Sequence, residues 1–155
     1  IVDGISSKSI GKLNFDAEIS QDGQTMFYVD GVFSGSPLPS TAKIMLAKRT
    51  ATGFSTLKES ESIMANVNKN VRQYAPAISR NGRELFFNRL DRFIIFPETK
   101  IYHAVFDDKL QAFAEPKLIE SITGFAEGAT ISFDGCSLYY HVKEGERFVI
   151  KRVIR

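Results

Sequence analysis

Three times in this chain a short apolar stretch runs into Ser-x-Asp/Asn-Gly and then, at one offset, into a pair of aromatics. The copies are Ser20-Gln21-Asp22-Gly23 leading to Phe27-Tyr28, Ser79-Arg80-Asn81-Gly82 leading to Phe86-Phe87, and Ser132-Phe133-Asp134-Gly135 leading to Tyr139-Tyr140. The first aromatic always lies seven residues after the serine, and successive serines stand 59 and 53 residues apart. Self-similarity at such a period marks a repeat architecture, in which each unit buries its apolar face on its neighbours. Function is then to be sought on surfaces that the units share.

The motif has a local physical cause. Asp-Gly and Asn-Gly between β-prone runs are the strongest short hairpin signal, because glycine takes positive φ freely and Asp or Asn tolerates it next best. The Ser and Asp oxygens can accept bonds from turn amides, so the motif reads as turn chemistry rather than catalysis. After each aromatic strand comes another, at 43–48, 101–106 and 147–153, and after the first two a weaker apolar segment at 54–57 and 113–119. Four short strands per repeat make the blade of a β-propeller. The stretch 60–69 reads as connector or outer-strand material, since no window carries a sustained apolar stripe at helical spacing.

Composition sets limits. The 155 residues are 43% hydrophobic with 13 Phe, enough for an ordered core. Twenty basic against 18 acidic residues, spread along the chain for a net charge of +2, supply no basic stripe for a nucleic acid backbone. No apolar run approaches the roughly 20 residues that span a bilayer. The single cysteine, Cys136, cannot form an internal disulfide and has no base near it in sequence. The two histidines, His103 and His141, fall in no metal-spaced cluster and read as strand packing residues. Neither a metal nor a cofactor is called for.

The pattern Ala-x-Ile-Ser-x-Asp-Gly-x-x-Leu-Phe-Phe, with a later Ile101-Tyr102 strand and a Gly53-Phe54-Ser55 segment, resembles the WD-like β-propeller repeat of the TolB type. The resemblance runs from about Phe15 to Val153 and is strongest from Tyr74 to Phe87. It departs from the usual pattern where Gln21, Arg80 and Phe133 replace the proline between Ser and Asp, and only Pro76 keeps the proline upstream. The resemblance implies an exported, periplasmic location and a scaffold that binds a protein or a cell-envelope polymer. The alternative is a propeller hydrolase or lyase acting on saccharide or ester substrates.

On this reading the chain is all-β with three blades, at about 14–66, 72–122 and 125–155, the last completed by a strand at 1–5. Three blades are too few to close a ring, and a lone stack would expose apolar faces. Two completions are expected. Either the chain, which starts at Ile1 rather than Met, is half of a longer six- or seven-bladed protein, or two copies pair into a six-bladed ring as a homodimer.

Candidate ligand residues follow from the first strand of a blade, which lines a propeller's central channel. Five residues before each motif serine stand Phe15, Tyr74 and Glu127, and four before stand Asp16, Ala75 and Gly128. Asp16, Glu18, Arg72, Gln73, Tyr74 and Glu127 are therefore the channel-mouth candidates. Two insertions, 31–41 and 90–99, would project as loops on one face, and Phe93 and Phe96 in the second are contact candidates.

Overall fold

The computed structural model describes residues 4–93 and 97–155, with the side chains of 91–93 and 97 outside that description. Among the described residues twelve strands form three antiparallel sheets in chain order. The first sheet takes β1 (Lys12–Ile19), β2 (Thr25–Val32), β3 (Thr41–Arg49) and β4 (Phe54–Thr56) in sequential order. The second takes β5 (Gln73–Ile78), β6 (Glu84–Phe93), β7 (Pro97–Asp107) and β8 (Ala112–Phe113), with β9 (Lys117–Leu118) also pairing β7. The third takes β10 (Ala126–Ile131), β11 (Ser137–Glu144) and β12 (Arg147–Ile154). Every strand pairs with a sequence neighbour except β9, which reaches back past β8 to β7.

The three motif turns are closed in one way. The serine Oγ accepts from the amide five residues on, Thr25, Glu84 or Ser137, at 2.9 Å each time. The Asp or Asn Oδ1 accepts from the amide two residues on, at 2.9–3.0 Å. Gly23, Gly82 and Gly135 take φ of 70°, 71° and 75°, which a side chain would oppose. The motif is a turn device, as its residue types imply.

The innermost strands β1, β5 and β10 share a second device. Each breaks register with its partner, between Phe15 and Glu18, Tyr74 and Ala77, and Glu127 and Thr130. Inside each break one residue is left-handed: Asp16 at φ 48°, Ala75 at 48° and Gly128 at 62°. These are the three positions aligned four before the serine. A bulge of this kind turns the following residues to the other face.

Cores lie between the sheets. Phe27, Val29, Ile44, Leu46, Leu85 and Phe87 fill the gap between the first and second. Phe86, Ile101, Ile122, Leu138 and Val142 fill that between the second and third. On the far side of the first sheet Met26, Tyr28, Ala47 and Phe54 are also buried, with Ile5 packed on them. Ile5 thus sits against the first sheet, while residues 1–3 of the expected closing strand lie outside the described residues.

Two local details are new. Of the two readings of 60–69, connector or outer strand, the stretch is a connector, with one helical turn at Ser60–Ile63 and a 3-10 turn at Val67–Lys69. It does the work of an outer strand with side chains. Asn68 accepts from the Ile44 amide at 3.0 Å and donates to the Ile44 carbonyl at 2.9 Å, and Ser60 Oγ accepts from Leu46 N at 2.8 Å. That substitution is why β4 needs only three residues. The 90–99 insertion is largely a longer hairpin, since β6 continues to Phe93 and β7 begins at Pro97.

Candidate functional site

The positions five before each serine converge. Phe15, Tyr74 and Glu127, one from each innermost strand, line a single cavity of about 310 Å³. Its remaining wall comes from the 31–41 insertion, through Phe33, Pro37, Leu38 and Pro39, and from Ala42, Leu90, Arg72 and Phe125. The insertion is tied to the rest of the wall by Arg72, whose Nε donates to the Pro39 carbonyl at 2.6 Å. The interior is aromatic and aliphatic, with Arg72, Tyr74 and Glu127 as its polar groups.

Tyr74 is the hub of those polar groups. Its hydroxyl donates to Glu127 Oε1 and lies 2.7 Å from Thr99 Oγ1. Burial, then the Glu127 carboxylate, push the Tyr74 hydroxyl far above the usual tyrosine range, so it stays a neutral donor. His141 Nε2 lies 3.7 Å from Glu127 Oε2, brought there by the Glu127–His141 pairing across the β10–β11 hairpin. Asn88, fully buried behind the cavity wall, extends the network. Its Nδ2 donates to Thr99 Oγ1 at 3.0 Å and to the Ala126 carbonyl at 2.8 Å, and its Oδ1 accepts from Gly128 N at 3.0 Å.

The other candidates go elsewhere. Asp16 Oδ2 accepts from the Ala75 amide at 3.0 Å, so it ties the first bulge to the second. Asn88 does the same service for the third bulge from a different strand. Glu18 lies past the bulge, outside the cavity wall, and its carboxyl is raised by partial burial. Gln73 is fully buried, and its side-chain amide has no hydrogen-bond partner among the described residues. Phe96 and the side chain of Phe93 lie outside the described residues. Among the described residues no group of three or more His, Cys, Asp or Glu could hold a metal ion. Cys136 is exposed on its turn. Sequence reasoning missed Asn88, His141 and Phe33. His141 was out of its reach, because counting across the Asp134-Gly135 turn pairs Glu127 with Val142 and the bulge shifts the partner by one residue to His141.

Tyr74 carries a pH signature. Its hydroxyl pKa is raised on folding, so its contribution to stability is complete below the ordinary tyrosine pKa of about 10 and is lost as pH rises above it. Tyr74→Phe is expected to flatten the fall in melting temperature between about pH 10 and 12. A fall as steep as that of the unaltered protein would remove Tyr74 from this role.

No family model and no curated protein matches the chain. Solved structures do. The putative TolB from Agrobacterium tumefaciens superposes with a TM-score of 0.64 at 18% identity, over 97% of this chain and 46% of that one. TolB from Acinetobacter baumannii gives 0.56 at 16%, over 92% of this chain and 30% of that one. The fold is that of part of a β-propeller, as in these two structures. A puromycin-hydrolyzing peptidase from Mycobacterium tuberculosis also matches, at 0.59 and 16%, over 97% of this chain and 23% of that one. The chain spans less than half the length of each of these structures. Its three sheets are therefore propeller blades, and the bulged strands are the innermost strands of those blades. Among the described residues no helix is long and apolar enough to cross a membrane.

Proposed function

We propose that the chain is a non-enzymatic interaction scaffold of the propeller type, and that it docks a partner protein by taking a bulky apolar side chain into the Phe15–Tyr74–Glu127 cavity. The convergence of three repeat-equivalent positions on one apolar cavity carries this reading. A pocket of this size, mostly apolar with a few convergent polar groups, suits recognition of one anchor residue. Arg72, Tyr74 and Glu127 then offer hydrogen bonds to the backbone beside that anchor. A cell-envelope polymer is the second partner class, and an exported, periplasmic location follows from the repeat resemblance. Ring completion, by further blades or by a homodimer, belongs to the same scaffold reading. The hydrolase or lyase alternative gains the Glu127–His141 pair, but among the described residues the cavity wall holds no Ser, Thr or Cys and no second carboxylate beside it.

The test uses a display library of random heptapeptides selected against the protein. Peptides enriched in a large apolar residue should bind it and lose at least about tenfold in affinity, some 1.4 kcal/mol, on Leu38→Asp at the cavity wall. A selection that yields no binders, or binders indifferent to Leu38→Asp, would overturn the docking site.

A further inference from the structure

Neighbouring blades meet along equivalent clefts, and the two clefts are not alike. Between the first and second blades, each with all four of its strands, lies a cleft of about 590 Å³. Phe27, Leu46 and Phe113 form its floor, and Leu57, Ile63 and Phe106 stand half-buried around it. Its mouth is polar, with Lys48 from the first blade and Arg80 from the second.

In the next cleft the chain supplies its own bridge. There Arg155 pairs with Glu84, and its guanidinium lies 5.4 Å from the centre of the Phe86 ring. By strand register the equivalents of Arg155, Glu84 and Phe86 in the first cleft are Phe106, Thr25 and Phe27, so neither half of that ion pair is present there. The cross-strand partner changes as well, since Glu84 faces Val105 whereas Thr25 faces Lys48. The first cleft thus carries a base where the second carries an acid.

Both cations at the mouth are held by neutral oxygens. Lys48 Nζ donates to Thr25 Oγ1 and Arg80 Nε to Gln21 Oε1, each at 2.8 Å. The Arg80 guanidinium also lies 4.0 Å over the Phe133 ring, which fixes its plane. A guanidinium held in this way suits the two parallel bonds that a carboxylate accepts. Asp22 is the single carboxylate lining the cleft among the described residues, and it serves its own turn, accepting from Ser20 Oγ at 2.6 Å and from the Gln24 amide at 3.0 Å. The Ser20 bond is the main cause of its lowered pKa, with Lys48 a lesser one. Two cations therefore stand beside one carboxylate that is already engaged.

We propose that this cleft binds a carboxylic acid with an apolar tail, such as a medium-chain fatty acid, the tail lying on Phe27, Leu46 and Phe113 and the carboxylate meeting Lys48 and Arg80. The volume is that of a small-molecule site, and charges attract more strongly beside an apolar wall than in open water. A neutral or cationic amphiphile would bury the same tail and leave both cations unanswered. None of these residues lines the Phe15–Tyr74–Glu127 cavity, so the site stands apart from the docking reading.

Isothermal titration calorimetry with octanoate, octanol and octyltrimethylammonium, each kept monomeric in solution, sets one tail under three charges. Octanoate should bind at least about tenfold more tightly than either of the others. Lys48→Glu and Arg80→Gln, both at exposed positions, should each weaken octanoate by about tenfold or more with the circular dichroism unchanged, whereas Leu38→Asp in the other cavity should leave its binding unaltered. An absence of octanoate binding, equal binding of the three amphiphiles, octanoate binding indifferent to the substitutions at 48 and 80, or binding removed by Leu38→Asp would each overturn the proposal.

Discussion

Asn88→Leu is expected to unfasten the third blade from the second. The substitution keeps the branched outline of asparagine in a larger side chain but removes the donor to the Thr99 hydroxyl and the Ala126 carbonyl and the acceptor for the Gly128 amide, all at a fully buried position. Each buried polar group left without a partner costs about 1–3 kcal/mol, and the Thr99 hydroxyl keeps Tyr74 as a neighbour. The loss should reach about 3 kcal/mol, against the 5–15 kcal/mol that holds a typical domain folded. Urea denaturation reads it directly, and hydrogen exchange should rise first in β10. A variant within about 0.5 kcal/mol of the unaltered protein would show that the inter-blade bridge contributes nothing net.

Gly128→Ala should be nearly as damaging, and for a reason specific to this blade. The first two blades hold Asp16 and Ala75 at the same left-handed position, so the conformation alone does not demand glycine. At Gly128 an added Cβ would stand 2.7 Å from His141 Cε1 and 2.9 Å from its Nδ1, which no real contact tolerates. The left-handed backbone costs about 1–2 kcal/mol for a residue with a Cβ, and displacing the imidazole adds to it. The imidazole is the testable part. In a double-mutant cycle with His141→Ala, the alanine at 128 should cost at least about 1 kcal/mol less than it does beside the histidine. Additive losses would mean that the ring moves aside freely and that glycine is there for its backbone alone.

What could be read from the amino acids was whatever chemistry is local. The Ser-x-Asp/Asn-Gly turns are closed by bonds spanning five residues or fewer, so residue identity suffices to place them, and with them the strands and the equivalent positions. Counting from those serines brought Phe15, Tyr74 and Glu127 to one cavity. Asp16 and Glu18, chosen for their place in the first strand of a blade, lie off that cavity wall, and the bulge between Phe15 and Glu18 breaks the alternation of facing there. Gln73 lies off it for another reason: adjacent strand residues face opposite ways, so a neighbour of Tyr74 need not share its cavity. The helical connector left no periodic trace, since a single turn of four residues is too short for one. Arg72 was chosen for its place beside Tyr74, whereas its contact with Pro39 depends on how the 31–41 insertion folds back, which no local pattern encodes.

The sequential strand order also bears on how such a chain comes into being. Each hairpin needs only residues close by in sequence, and hairpins form within about 1–10 μs, far faster than a ribosome or an export channel delivers the next repeat. The polypeptide can thus condense in the order it emerges, one sheet at a time, each docking on the last through an apolar core and side chains that reach across, Asp16 to Ala75 and then Asn88 to Gly128 among them. Assembly becomes a matter of docking finished parts in line, with little opportunity for distant segments to tangle.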